Sequence, residues 1–280
     1  MKFKLYNTVT VLSIAMIVCM TTLFAQNNPA NNKLNIEMVQ INEGRFTMGS
    51  HIGEKYRNTD ESQHTVYVSS FKIGKFQITQ KEYMAVMEAN PSNFIGEDLP
   101  VENVSWFDAI EFCNKLSKMQ GLKPYYSINK EEIKILGGNG YRLPTEAEWE
   151  YTCRATTTTP FTYGYFLNST MANFNGNHPY DSGVDVNRNK TAPVGIFKPN
   201  KFGIYDMHGN VWEWCWDWYG EDYYKVSPLN NPIGPQTGIN RVVRGGGWDF
   251  LGQHLRSASR SEFHPSFKSS YVGFRIAKNL

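Results

Sequence analysis

The chain has 280 residues, with 28 Lys and Arg against 26 Asp and Glu and a formal charge of +2. A balance this close, with the basic residues scattered, excludes the electrostatic footprint of a nucleic-acid binder. Aromatic residues make up 14%, and there are 23 Gly and 13 Pro. That composition points to a loop-rich fold whose connections are pinned by buried rings.

In chain order, Lys2 and Lys4 give a basic start, an apolar run extends over residues 9–20, and the small residue Ala25 precedes a polar run over residues 26–32. These are the three parts of a secretory signal, with cleavage expected after Ala25, although Leu23 is bulky for its position. The apolar core is shorter than the roughly 20 residues that span a bilayer, which argues against a retained anchor. Val18 before Cys19 argues against a lipoprotein signal. The expected organisation is a signal over residues 1–25, an Asn-rich leader over 26–35 and one domain over 36–278. Export to the periplasm, the outer surface or the medium follows. Loss of Cys19 leaves Cys113, Cys153 and Cys215, an odd set with no zinc or redox spacing. Buried, inert thiols are the expectation.

Within the domain, residues 37–42 and 44–48 read as a hairpin, and residues 64–73 alternate as one strand. Thr79 with Glu82, Ser105 with Asp108, and Thr145 with Glu148 are capping boxes that each open a helix. Residues 203–205, 211–216, 241–246 and 272–276 read as short strands. Residues 155–202 carry little periodicity and much Asn, Gly, Thr and Pro, so a functional loop or one tied down by a ligand is expected there.

Several phrases are more specific than patterning. They are Gly44-x-Phe46-x-Met48-Gly49-Ser50, Pro100-Val101-x-Asn103-Val104-Ser105-Trp106, the run from Tyr141 to Glu150, the run from Gly203 to Trp214, Arg244-Gly245-Gly246-Gly247-Trp248, and Val272-Gly273-Phe274-Arg275. In this order they resemble the formylglycine-generating (sulfatase-modifying factor) enzyme family over residues 36–278. The resemblance implies a single α+β domain with a modified C-type-lectin-like core, rich in loops and bound calcium. Authentic enzymes of the family oxidise a sulfatase cysteine with molecular oxygen and copper held by two cysteines. Other branches serve sulfoxide synthesis, siderophore maturation, gliding motility and secretion, or ligand display.

Copper is not expected here. Phe250 and Leu255 stand at or near the two cysteine positions, and no cysteine follows Cys215. Two thiolates are what a soft cuprous ion needs. A different redox metal would have to draw on Asp249, His254, Glu262 and His264, which otherwise read as residues of the cleft rim. The sulfoxide-forming branch places iron ligands in an added helical domain for which this chain has no room. Calcium is expected instead: the resemblance places Asp206, Gly209, Val211 and Glu213 on the family's calcium loop, and carboxylates mixed with carbonyls suit that ion. Asn173 matches half of a second calcium set, with Asp185 a loose match for the rest. Arg142, Arg244, Arg256, Arg260 and Arg275 read as loop locks, and Trp149, Trp212, Trp214 and Trp248 as core rings. The reading is an envelope binding or scaffold protein for a protein, peptide or glycan ligand, with no nucleic acid and no transmembrane segment after cleavage. The alternative is an oxidoreductase of the same family, maturing sulfatases or using another metal.

Overall fold

The computed structural model describes Met1 and residues 34–280. The expected signal and its cleavage point lie outside the described residues, as does nearly all of the leader. No helix among the described residues is long and apolar enough to cross a membrane.

The three α-helices among the described residues each start where a side chain supplies the missing backbone partner. Helix α1 (Gln80–Met87), α2 (Trp106–Met119) and α3 (Glu146–Arg154) each carry the complete reciprocal box, from Thr79, Ser105 and Thr145 respectively. Helix α2 buries Trp106, Ala109, Ile110, Cys113 and Leu116, the face expected from their spacing.

The strands pair differently from expectation. Strands β1 (Met38–Ile41) and β2 (Gly44–Met48) do not form a hairpin with each other. The segment read as one strand divides at Ser69-Ser70 into β3 (His64–Val68) and β4 (Phe71–Gly74), so β2 pairs with β3 and β1 with β4. Ser70 Oγ accepts the Glu43 N–H at 2.9 Å, joining the two breaks. The hairpin β5 (Tyr126–Asn129) and β6 (Glu132–Ile135) and the short β7 (Tyr141–Arg142) were not expected. Residues 203–205 follow a turn at 201–202 as irregular backbone rather than a strand, and the Asn200 side chain accepts the N–H groups of Phe202 and Ile204.

Strand β8 (Trp212–Trp218) is the spine of the second half. It pairs antiparallel with β9 (Arg241–Arg244), which pairs with β10 (Arg260–Phe263), and parallel with β11 (Val272–Gly273). Strand β12 (Ala277–Asn279) inserts between β4 and β7, so the chain's end completes a sheet begun by its first strand.

Residues 155–202 hold no helix or strand of any length, yet they are anchored. Phe161, Leu167, Ala172, Phe174 and Tyr180 form a buried cluster with Leu255. Rings, rather than a ladder, hold this segment.

Candidate functional site

The loop that feeds β8 bends through left-handed backbone at Asp206, Gly209 and Asn210. At Gly209 this freedom is required, since a Cβ would stand 2.3 Å from the Asn173 carbonyl oxygen. The bend aims the carbonyl oxygens of Asp206, Gly209 and Val211 and the Glu213 Oε1 at one point. Gln77 Nε2 occupies that point, at 3.3, 3.3, 3.1 and 3.0 Å from them.

Backbone fixes the orientation of that amide. Asn210 accepts the Ala192 N–H at 2.9 Å and donates to the Ala192 carbonyl at 3.0 Å, so its own amide has one sense. Its Nδ2 then donates to Gln77 Oε1 at 3.2 Å, which leaves the Gln77 NH2 facing the four oxygens. Glu213 is equally committed. Its Oε2 accepts Trp149 Nε1 at 2.7 Å and Arg275 Nε at 2.5 Å, and its Oε1 accepts Arg275 Nη2 at 2.7 Å.

The four residues expected to bind calcium are therefore brought together, but as they stand they do not fit the ion. Calcium takes six to eight oxygens at about 2.3–2.6 Å, and here an amide nitrogen sits among them with its protons outward. Asp206 contributes a carbonyl rather than its carboxylate, which accepts the Gly195 N–H at 2.7 Å. Its Oδ1 is buried without a partner, and burial pushes the carboxyl up to about 6. The second expected set does not assemble. Asn173 Oδ1 is buried and unpartnered, while the Asp185 carboxylate turns to Ser169 N and Oγ at 2.6 and 2.7 Å.

Phe250 and Leu255, expected at or near the positions of the family's cysteines, pack against other apolar groups. Phe250 meets Trp212 and Tyr271 edge-on at centroid distances of 5.4 and 5.0 Å. Leu255 is fully buried, and a Cβ on Gly246 would lie 2.5 Å from its Cδ1. The other cleft candidates stay apart. Asp249 is exposed, His254 packs its ring against Phe250 at 5.9 Å, and exposed His264 Nδ1 lies 2.7 Å from Ser266 Oγ. Glu262 pairs in register with Val242 on the sheet, in the field of Asp60, Arg260 and Glu221. Among the described residues no three His, Cys, Asp or Glu side chains could share a metal.

A model of the sulfatase-modifying factor enzyme 1-like domain matches residues 23–280. The chain belongs to this family. It is 37% identical to the chaperone protein LppX of Paenibacillus barcinonensis over 83% of this chain and 86% of that protein. It is 34% identical to the formylglycine-generating enzyme of Streptomyces coelicolor, over 64% of this chain and 52% of that one. It spans only 38% of a Chlamydia caviae protein named serine/threonine-protein kinase pkn1, at 32% identity. Among solved structures, Treponema denticola variable protein 1 superimposes with a TM-score of 0.75 at 31% identity, covering 87% of this chain and 95% of that one. PvdO from Pseudomonas aeruginosa gives 0.72 at 29% identity, covering 88% and 95%. The fold is the α+β, loop-rich fold of formylglycine-generating enzymes.

For a member of this family the remaining polar groups are structural. Cys113, Cys153 and Cys215 are buried free thiols, and burial pushes all three up, Cys153 to about 12. Cys153 lies 3.7 Å from His208 Nε2, an arrangement that could suggest a nucleophile and its base. That ring is already used: Nε2 accepts the Thr162 N–H at 3.1 Å, and Nδ1 is 2.6 Å from the Leu255 carbonyl oxygen. Buried and pulled down to about 4, His208 is a neutral strut. Arg142, Arg244, Arg256, Arg260 and Arg275 each grip a carboxylate, as loop locks should. Trp149, Trp212 and Trp214 are buried core rings, and Trp248 donates from Nε1 to the Ser270 carbonyl.

Gln77 is the site residue that sequence reasoning missed. It stands 129 to 136 positions from its four partners, and no local pattern distinguishes it from a surface amide.

Proposed function

We propose that this family member works at the cell envelope as a binding or scaffold domain, and that it does not generate formylglycine by copper chemistry. What carries the reading is that Phe250 and Leu255, packed among apolar neighbours, stand at or near the two cysteine positions of the family, and that every thiol among the described residues is buried. Likeness to a protein named as a chaperone over most of both chains supports a binding role. The basic, apolar and small-residue order of residues 1–25 supports export.

The test is direct. Purified protein is titrated with cuprous ion against a chromogenic competitor, then supplied with oxygen and a cysteine peptide. No stoichiometric copper and no oxygen uptake are expected, and a co-expressed sulfatase should keep its cysteine mass. Tight copper with thiol-dependent oxygen uptake overturns the reading. For export, N-terminal sequencing of the secreted form should begin at Gln26, and a full-length cytoplasmic product overturns that part.

A further inference from the structure

Seven arginines are buried, and six of them, at positions 142, 154, 244, 256, 260 and 275, have a carboxylate oxygen within 2.8 Å. Arg241 is the exception among the described residues. Its guanidinium lies between two indoles, 3.8 Å from the Trp106 ring centroid and 3.4 Å from that of Trp218, with Trp216 at 5.0 Å. Nη1 donates to the Trp216 carbonyl at 2.5 Å, and Nε is buried with no acceptor. The rings supply cation–π attraction, yet they accept no N–H. Burial pulls Arg241 down to about 9, against the opposing influence of Asp217 nearby. Asp217, the nearest buried acid in sequence, accepts the Glu146 N–H at 2.8 Å and forms no ion pair with Arg241.

Arg241 also lines a cleft of about 1000 Å³ between β8 and the β5–β6 hairpin. The walls include Trp218, Tyr223, Pro232 and Pro235 on one side. On the other, Glu132 is held by Lys134 at 2.7 Å and Glu131 is exposed at the hairpin tip. A guanidinium with no carboxylate in salt-bridge contact, at the wall of an aromatic cleft, offers what a carboxylate or sulfate requires. Prolines withhold the N–H groups that an added peptide strand would pair with, whereas ring faces suit the apolar side of a sugar.

We propose that this cleft binds an acidic saccharide, whose carboxylate or sulfate meets Arg241 while its ring lies along Trp218 and Tyr223. The site is separate from the Phe250–Leu255 region and stands whether or not that region proves inert.

Titration of the purified protein with glucuronate, sulfate, N-acetylglycine and glucose at matched ionic strength tests it, read by tryptophan fluorescence and indole N–H resonances. Glucuronate should give a saturable change that is at least tenfold weaker in Arg241→Gln. Sulfate should compete with it, and glucose should give none. No saturable response to glucuronate, an unchanged response in Arg241→Gln, or stronger binding of N-acetylglycine overturns the proposal. Should Arg241→Gln not fold, the wild-type melting temperature decides: glucuronate should raise it where glucose and chloride do not, and equal effects overturn the proposal. Loss of this binding leaves the copper titration unaffected, so the two readings fail separately.

Discussion

Gln77 brings two N–H protons to a point where four oxygens converge, so its amide relieves the crowding of acceptors only in part. Its neighbours supply the rest, with Arg275 spanning both oxygens of Glu213 and donating to the Tyr205 carbonyl at 3.0 Å. Chelation should leave the melting temperature within about 1 °C of its value, while Gln77→Ala should cost about 2 kcal/mol by stripping buried acceptors of a donor. Added calcium should then stabilise the variant and not the parent. Thermal unfolding with chelator and with calcium checks both, and a fall in the parent's melting temperature on chelation would sink the account. The four acceptor residues were legible because they fall within eight consecutive positions of one motif. Gln77 was not, since its role exists only once the loop before α1 lies against the loop before β8.

Glu102 gives the residue scale its pH dependence. It is fully buried and accepts the N–H groups of Asn93 and Phe94 at 2.6 and 2.8 Å, while Oε2 has no partner. Burial raises the carboxyl from an ordinary 4.5 to about 7. The folded state therefore holds its proton over a window in which the unfolded chain has lost it. Stability should be fully present below about 4.5 and decline as pH rises towards about 7. Denaturant midpoints across that window should fall for the parent, with a shallower fall for Glu102→Gln. Parallel curves would exclude Glu102 as the source.

At the scale of elements, what is local in sequence was readable and what is paired at a distance was not. The caps belong to the first kind: four residues hold the whole motif, so Thr79, Ser105 and Thr145 announce their helices unaided. At α3 the box has a further tie, because Arg142 donates to both oxygens of Glu148 at 2.7 and 2.6 Å. Thr145→Ala should thus cost about 1 kcal/mol, as a lost cap does. Glu148→Ala should cost about 3 kcal/mol, since it also strands a buried guanidinium. Urea unfolding of the two variants measures the difference, and equal losses would show that Arg142 finds another partner. The strands belong to the second kind. Over residues 64–73 the apolar positions shift by one residue at Ser69-Ser70, from Val66 and Val68 to Phe71 and Ile73, which marks the division; that β3 goes to β2 and β4 to β1 leaves no such mark. The segment 155–202 reads in sequence as a functional or ligand-tied loop because its anchors, Phe161, Leu167 and Phe174, recur at no regular interval and meet Leu255 from far along the chain.

Across the whole molecule, the early and late parts of the chain are fastened together by charge as well as by strands. Arg256 grips Glu61 with two bonds of 2.7 Å and Glu54 with a third of the same length. Arg260 holds Glu146 at 2.7 and 3.0 Å and reaches the Asp60 carbonyl at 3.2 Å. Strand β12 lies inside its sheet, hydrogen-bonded on one side to β4 and on the other to β7. Removing it exposes two strand edges and uncovers Ile73 and Tyr141, both buried in the intact domain. The two larger buried clusters each take in a residue from this end of the chain, Ile276 in one and Ala277 in the other, so unfolding should be a single transition with calorimetric and van't Hoff enthalpies in a ratio near 1. Deleting residues 277–280 should abolish that transition rather than shift it, leaving a broad melt without the near-ultraviolet signal of ordered tryptophans. A truncated chain that still melts sharply would mean that β4 and β7 can close on each other, and that the C-terminal strand is an addition to the core rather than part of it.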